Sequence, residues 1–137
     1  MSLSLWMLLA FACWTLLVLL VGVGMRRWLL ILQGRAALTS FPGDTPHGSQ
    51  AYRRAMRAHA NCVENLPVFG AIVLVAAFAH RISHTMDVLA AAFMTARIIQ
   101  SSIHMALPET NATIAVRFSF FLIQIVAMTA MAVQIAM

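Results

Sequence analysis

The sequence predicts an all-α integral membrane protein, in which four antiparallel transmembrane helices form a single domain over residues 1–137. The chain is 62% hydrophobic and only 9% charged, whereas a soluble globular domain typically has about 25% charged residues. Four predominantly apolar segments can each form a helix of about 20 residues, which is the length that crosses a bilayer core. Only residues 35–49 have the composition of a long connecting loop.

The first helix is predicted at about residues 3–34. Residues 3–25 carry no charge, and Trp6 and Trp28 stand where aromatic side chains usually meet the membrane surface. Apolar residues continue beyond this charge-free run, so the helix is expected to extend past the bilayer core. The loop that follows is rich in proline, glycine and small polar residues, which favour turns.

The second helix is predicted at about residues 50–80, and it takes polar residues into the membrane. The charge-free run from Asn65 to Ala79 is shorter than the about 20 residues that a crossing needs. The helix must therefore begin earlier and carry Asn61 and Glu64 with it.

Three polar side chains of this helix share one face. At 100° per residue, Arg57, Asn61 and Glu64 fall within about 60° of one another. An ionised side chain at the bilayer centre costs about 2.5–3.5 kcal/mol, so such groups usually face the protein interior and are paired. We expect their partners on other helices or on a ligand.

The third and fourth helices, at about residues 86–107 and 113–136, repeat this pattern. Arg97 lies near the middle of the third helix, and His104 follows seven residues later on the same face. Arg117 lies near the start of the fourth helix, before 20 residues without charge.

The arginines also predict the orientation of the bundle. Six of the nine arginines lie between the first two apolar stretches, so the positive-inside rule places loop 35–49 in the cytoplasm and both ends of the chain on the far side. The predicted polar residues then reach one level in the cytoplasmic half of the membrane. A basic face interleaved with aromatic residues is absent, so no nucleic-acid partner is predicted. The histidines near the second turn, His80 and His84, are interpreted as solvated, and no metal site is predicted.

An arginine-rich pocket with one carboxylate favours an anionic ligand, and glutathione has the required chemistry. Arginine binds carboxylates through two parallel hydrogen bonds, Glu64 could receive an amino group, and Asn61 could bind an amide. Nearby cations would also lower the pKa of a thiol from its usual value of about 8.5, which favours the nucleophilic thiolate. The second substrate would be a hydrophobic electrophile that enters from the membrane lipid.

The segment Arg57 to Pro67 reads R-A-H-x-N-x-x-E-N-x-P and resembles the MAPEG family of membrane-associated proteins in eicosanoid and glutathione metabolism. The likeness is greatest to small bacterial members of the microsomal glutathione transferase type. It extends over the whole chain through the four membrane helices, the long first loop, the Ala96-Arg97 step and the arginine that opens the last helix.

The resemblance implies a homotrimer that binds glutathione between neighbouring subunits. By position, the glutathione-binding residues would be Arg57, Asn61, Glu64, Arg97, His104 and Arg35, the last reaching in from the end of the first helix. Arg117 matches the family arginine near the thiol and is the predicted catalytic residue. Prostaglandin-forming members have Ser and Tyr where this chain has Phe118 and Phe121, so an eicosanoid substrate has no support.

The predicted function is therefore that of a glutathione-dependent membrane transferase or peroxidase, in detoxification and in a bacterial inner membrane. A small proton-coupled transporter that uses Glu64 is one alternative. A non-catalytic protein that binds glutathione or lipid is another. For the polar residues themselves, the alternative is a structural network that joins the helices, including an ion pair between Arg97 and Glu64.

Overall fold

The computed structural model describes residues 1–137 and contains four long helices and no β-strand. Each helix is long and apolar enough to cross a membrane, which confirms the predicted all-α transmembrane bundle. We number the helices in chain order as α1 Leu3–Leu32, α2 Gln50–Phe78, α3 His84–Ala106 and α4 Asn111–Ala136.

Hydroxyl side chains set the starts of α2, α3 and α4. Each accepts a hydrogen bond from the backbone N–H three residues later, which satisfies one of the free donors of the first turn. Helices α3 and α4 therefore begin at His84 and Asn111, two residues before the predicted starts, because the cap rather than the first apolar residue fixes the boundary. The capping residues are Ser49, Ser83 and Thr110.

Residues with positive φ end α1 and α2. Gly34 has φ 66° and His80 has φ 54°, and in each case the chain reverses into a Schellman motif. The N–H of the next residue donates to a carbonyl five positions back, at 2.9 Å from Arg35 and 2.8 Å from Arg81. Both helices consequently end two residues before the predicted ends at 34 and 80, at Leu32 and Phe78.

A π-helical segment interrupts α1 at Val18–Gly24. The N–H of Met25 bonds the carbonyl of Leu20, five residues back, instead of the usual four. Gly22 faces α2 in this segment, and a Cβ atom there would lie 3.1 Å from the Cβ of Ala55. The absent side chain therefore allows α1 and α2 to approach closely beside the wide turn.

Three fully buried phenylalanines form the centre of the bundle and join α1, α2 and α3. Phe69 and Phe93 stack with ring centroids 4.0 Å apart, and Phe11 meets them edge-on at 6.0 and 5.3 Å. Met128 and Met131 of α4 complete the same apolar cluster. This core separates the two polar ends of the bundle.

At the end opposite the long loop, polar side chains fasten the helices together. The backbone N–H and hydroxyl of Ser4 donate to Asp87 at 2.8 and 2.6 Å, which ties α1 to α3. Arg81 donates to the carbonyl of Ile135 at 3.2 Å, which ties the turn after α2 to the end of α4.

At the loop end, arginines of α1 pack on the start of α2. Arg27 donates to the hydroxyl of Tyr52, and Arg26 donates to Ser49. The guanidinium of Arg26 also lies 5.5 Å from the Tyr52 ring centroid, within cation–π range. These contacts fix the loop end of α1 beside the polar face of α2.

Candidate functional site

A cleft of about 250 Å³ opens on the side of the bundle, between α2, α3 and α4 near the loop end. Polar residues from all three helices meet there, and apolar residues of α4 form the rest of the wall. The lining residues are Asn61, Gln100, His104, Ile114, Arg117, Phe118 and Phe121.

His104 brings an unpartnered polar atom to this cleft. It lies in the last turn of α3 and is only 5% exposed, yet its Nε2 has no hydrogen-bond partner in the chain. Because buried polar atoms are normally hydrogen-bonded, this nitrogen is an unsatisfied polar group in a residue that lines the cleft.

Arg117 lies at the other side of the cleft with its side chain 17% exposed, and it is linked to Arg57 through a carboxylate. One oxygen of Glu109 lies 2.5 Å from Arg57 Nη1 and 3.7 Å from Arg117 Nη1. The hydrogen bond from Arg57, together with the charges of both arginines, holds the pKa of the Glu109 carboxyl below its usual range. The carboxylate is therefore charged at neutral pH.

Two buried glutamines connect α3 to the turn of α4 that carries Arg117. Gln100 Nε2 donates to the Arg117 carbonyl at 3.1 Å, and Gln124 Nε2 donates to Gln100 Oε1 at 3.0 Å. Gln124 also donates to the Phe120 carbonyl at 3.0 Å. This chain of amides fixes the position of α4 against the floor of the cleft.

Arg97 lies behind the cleft wall, inside the bundle, and is only 1% exposed. Its Nη1 donates to the Asn61 carbonyl at 3.3 Å, and its guanidinium carbon lies 5.5 and 5.9 Å from the ring centroids of Phe11 and Phe93. Its Nε and Nη2 have no partner in the chain. No ion pair joins Arg97 to Glu64, so the alternative of an internal pair between them is absent from the single chain.

The remaining predicted residues lie on the outside of the bundle. Arg57 and Glu64 are exposed on the outer surface of α2. Arg35 is exposed just beyond α1, and its side chain makes no hydrogen bond or ion pair. A single chain thus brings Asn61, His104 and Arg117 together in the cleft. Glu109 links Arg117 to Arg57, whereas Glu64 and Arg35 lie outside the cleft.

Sequence reasoning did not find Glu109, which lies in the short connection between the third and fourth predicted helices. A turn residue has no helical period that could assign it to a face. The available signal was that Glu109 is an acidic residue in a turn at the arginine-rich end of the bundle, where it has cations to pair with.

The chain matches the sequence profile of the MAPEG family over residues 4–137. It belongs to the MAPEG family. Comparisons with curated proteins and with solved structures gave no match. As a MAPEG protein with four helices able to span a bilayer, it is a multi-pass integral membrane protein of the general group concerned with glutathione or eicosanoid metabolism.

Proposed function

We propose that this MAPEG protein is a glutathione-dependent membrane transferase or peroxidase that acts on hydrophobic electrophiles. The observation that carries the proposal is the cleft, where Asn61, His104 and Arg117 meet from three helices. Two arginines at this end share a single carboxylate, so the site has an excess of positive charge. An anion with further polar groups is the ligand that this arrangement fits best.

The residues present fit glutathione. Arg57 can bind a carboxylate, Asn61 can bind an amide, and the unpartnered Nε2 of His104 can make a further hydrogen bond. Bound glutathione would supply a thiol that becomes a nucleophile when ionised. Arg117 is partly desolvated, so its charge acts strongly on a neighbouring group, and each pKa unit corresponds to about 1.4 kcal/mol.

The apolar wall of the cleft suits a second substrate that arrives from the bilayer. Phe118 is exposed on α4, and Phe121 is half-buried beside it. Neither side chain has a hydroxyl, so stabilisation of the thiolate is assigned to Arg117 alone.

We also propose that the site is completed in a homotrimer. Arg57 and Glu64 are exposed on the outer surface of α2, and ionised groups are costly where they face lipid. A neighbouring copy packed on α2 would shield them from lipid, and the partner subunit's Arg35 would reach the ligand. The arginine excess places the loop on the cytoplasmic side, and the resemblance to small bacterial members suggests a bacterial inner membrane.

The test is calorimetric titration of the detergent-purified protein with glutathione, with the ultraviolet absorbance of the thiolate recorded in the same sample. We expect saturable binding and a thiolate signal at neutral pH. Arg57→Ala and Glu64→Gln should abolish binding while the protein remains a folded oligomer. Arg53→Ala is the matched control, because Arg53 is exposed one turn earlier on α2 and has no ion pair. Absence of binding by the unmodified protein would overturn the proposal.

The lack of a hydroxyl in the cleft favours one second candidate, a non-catalytic protein that binds glutathione or lipid. Saturable binding without a thiolate signal would support that candidate. A proton-coupled transporter is disfavoured, because Glu64 lies on the outer surface of α2 and outside the cleft.

A further inference from the structure

Glu109 stands at the rim of the cleft, in the turn between α3 and α4. Pro108 precedes it, and Thr110 caps α4 immediately after it, so its backbone is held from both sides. Its carboxylate contacts Arg57, which we propose as a ligand for a glutathione carboxylate, and lies near Arg117, which we propose for the thiolate. Glu109 therefore occupies the two cations that would bind the negatively charged groups of the ligand.

The exposure of this pair allows exchange. The side chain of Arg57 is 57% exposed and that of Glu109 is 37% exposed. In the proposed homotrimer this surface lines the ligand site, which ligand and water both reach, and ion pairs in contact with water contribute little net stability. An incoming carboxylate can therefore replace Glu109 at small cost. A neutral group cannot replace Glu109, because Arg57 and Arg117 would then have no counter-charge.

We propose that Glu109 is an internal competitor of the ligand, a carboxylate that pairs with the two arginines in the free protein and is displaced when a carboxylate of the ligand binds. This inference rests on the proposed function of the same site. It predicts that Glu109 does not affect the binding of glutathione analogues whose carboxylates are esterified, because these analogues do not displace it. It also predicts that Glu109 weakens glutathione binding through competition.

The alternative role for Glu109 would be direct contact with the ligand's ammonium group. The two roles predict opposite effects when the charge is removed. Loss of a competitor tightens binding, whereas loss of a ligand contact weakens it.

The test compares Glu109→Gln with Asp44→Asn. Asp44 lines a shallow pocket with Arg53 and Arg57 at the same end of the bundle but makes no ion pair, so its variant removes the same charge without removing the contact. Each protein is titrated with glutathione and with glutathione diethyl ester. We expect Glu109→Gln to bind glutathione about two- to fivefold more tightly, the range implied by an exposed ion pair.

The ester should bind weakly and equally to the unmodified protein and to Glu109→Gln, because it does not exchange with the carboxylate. Asp44→Asn should change the dissociation constant for glutathione by less than about twofold. Unchanged or weaker glutathione binding by Glu109→Gln would overturn the inference. An equal gain in Asp44→Asn would also overturn it, since the effect would then be one of net charge.

A second measurement does not depend on glutathione. Phenylglyoxal modifies free guanidinium groups, and the modified positions can be read by peptide mass spectrometry. Without ligand, Arg57 and Arg117 should react faster in Glu109→Gln than in the unmodified protein, and equal rates would contradict the masking of these arginines. If no variant bound glutathione but this labelling were still accelerated, the proposed function would fail and the masking by Glu109 would stand.

Discussion

Two arginines of this bundle have their charges stabilised by different kinds of contact. Arg57 is exposed and paired with a carboxylate, whereas Arg97 is buried against two aromatic rings with no carboxylate in contact. Aromatic faces attract cations. They do not, however, provide acceptors for the N–H groups that lie in the plane of the guanidinium. The two free nitrogens of Arg97 therefore make it the least satisfied buried side chain near the site.

The ionisation of Glu109 gives a prediction for stability against pH. The pKa of Glu109 in the folded protein lies below the unfolded value of about 4.3. The ionised carboxylate therefore contributes fully to the free energy of unfolding above that pH, and this contribution is lost as the pH falls through the folded pKa. The unmodified protein should unfold at a higher temperature than Glu109→Gln at pH 7. The difference should shrink below about pH 4, and thermal unfolding in detergent measures it. A difference in unfolding temperature between the two proteins that stayed constant down to pH 3 would contradict a stabilising role of the ion pair.

The helical period predicted the direction of the site residues but not their depth. Arg97 and His104 are seven residues apart and share a face, as predicted. That spacing also separates them by about 10 Å along the helix axis. His104 consequently reaches the cleft, whereas Arg97 lies at the level of the phenylalanine core. A sequence pattern gives the angle around a helix, while the depth of a cleft depends on how neighbouring helices pack.

At the scale of helices, the buried amides between α3 and α4 should be energetically coupled. Gln124→Leu leaves Gln100 Oε1 buried without its donor, and an unsatisfied buried group costs about 1–3 kcal/mol. Removing Gln100 as well should recover most of that loss, since no orphaned acceptor remains. The free energies of unfolding of the two single variants and the double variant form a double-mutant cycle, which measures the coupling between the two amides. Strictly additive losses would show that the two amides act independently.

The end of α2 offers a second prediction at this scale. His80 adopts a left-handed conformation that glycine adopts without steric cost. His80→Gly should therefore raise the free energy of unfolding by up to about 1 kcal/mol. His84→Gly is the matched control, because His84 opens a regular helix, where glycine should destabilise by about 0.3 kcal/mol relative to histidine. Equal effects of the two substitutions on thermal unfolding would refute this account of the helix end.

Hydropathy was sufficient to predict the four helices, because each crossing needs a long apolar run. It could not predict the π-helical segment of α1. The residues of Val18–Gly24 are as apolar as their neighbours, and the choice between two hydrogen-bond patterns depends on packing against α2. The predicted helix boundaries differ from the observed ones by two residues for a similar reason. Capping hydroxyls and left-handed residues act locally, and they hardly affect the mean hydropathy over a window of the sequence.

At the scale of the whole molecule, the outer surface of α2 predicts assembly. A single copy exposes Arg57 and Glu64 where the helix enters the membrane, which is unfavourable unless another copy covers them. The proposed homotrimer predicts three copies in native mass spectrometry of the detergent-solubilised protein, for the unmodified protein and for Glu64→Gln alike. A monomer that bound glutathione with full affinity would contradict a site shared between subunits.

The wide turn in α1 has a consequence for how the length of this chain can vary. A ring closed by a bond to the fifth residue back holds one more residue than a ring closed to the fourth. Loss of one residue within 18–24 could therefore be absorbed by a return to regular helix, with Arg26 and Arg27 still directed at the start of α2. The same loss elsewhere in α1 would rotate all following side chains by about 100°. The segment is thus the position in the first helix where deletion of one residue should be tolerated among homologues.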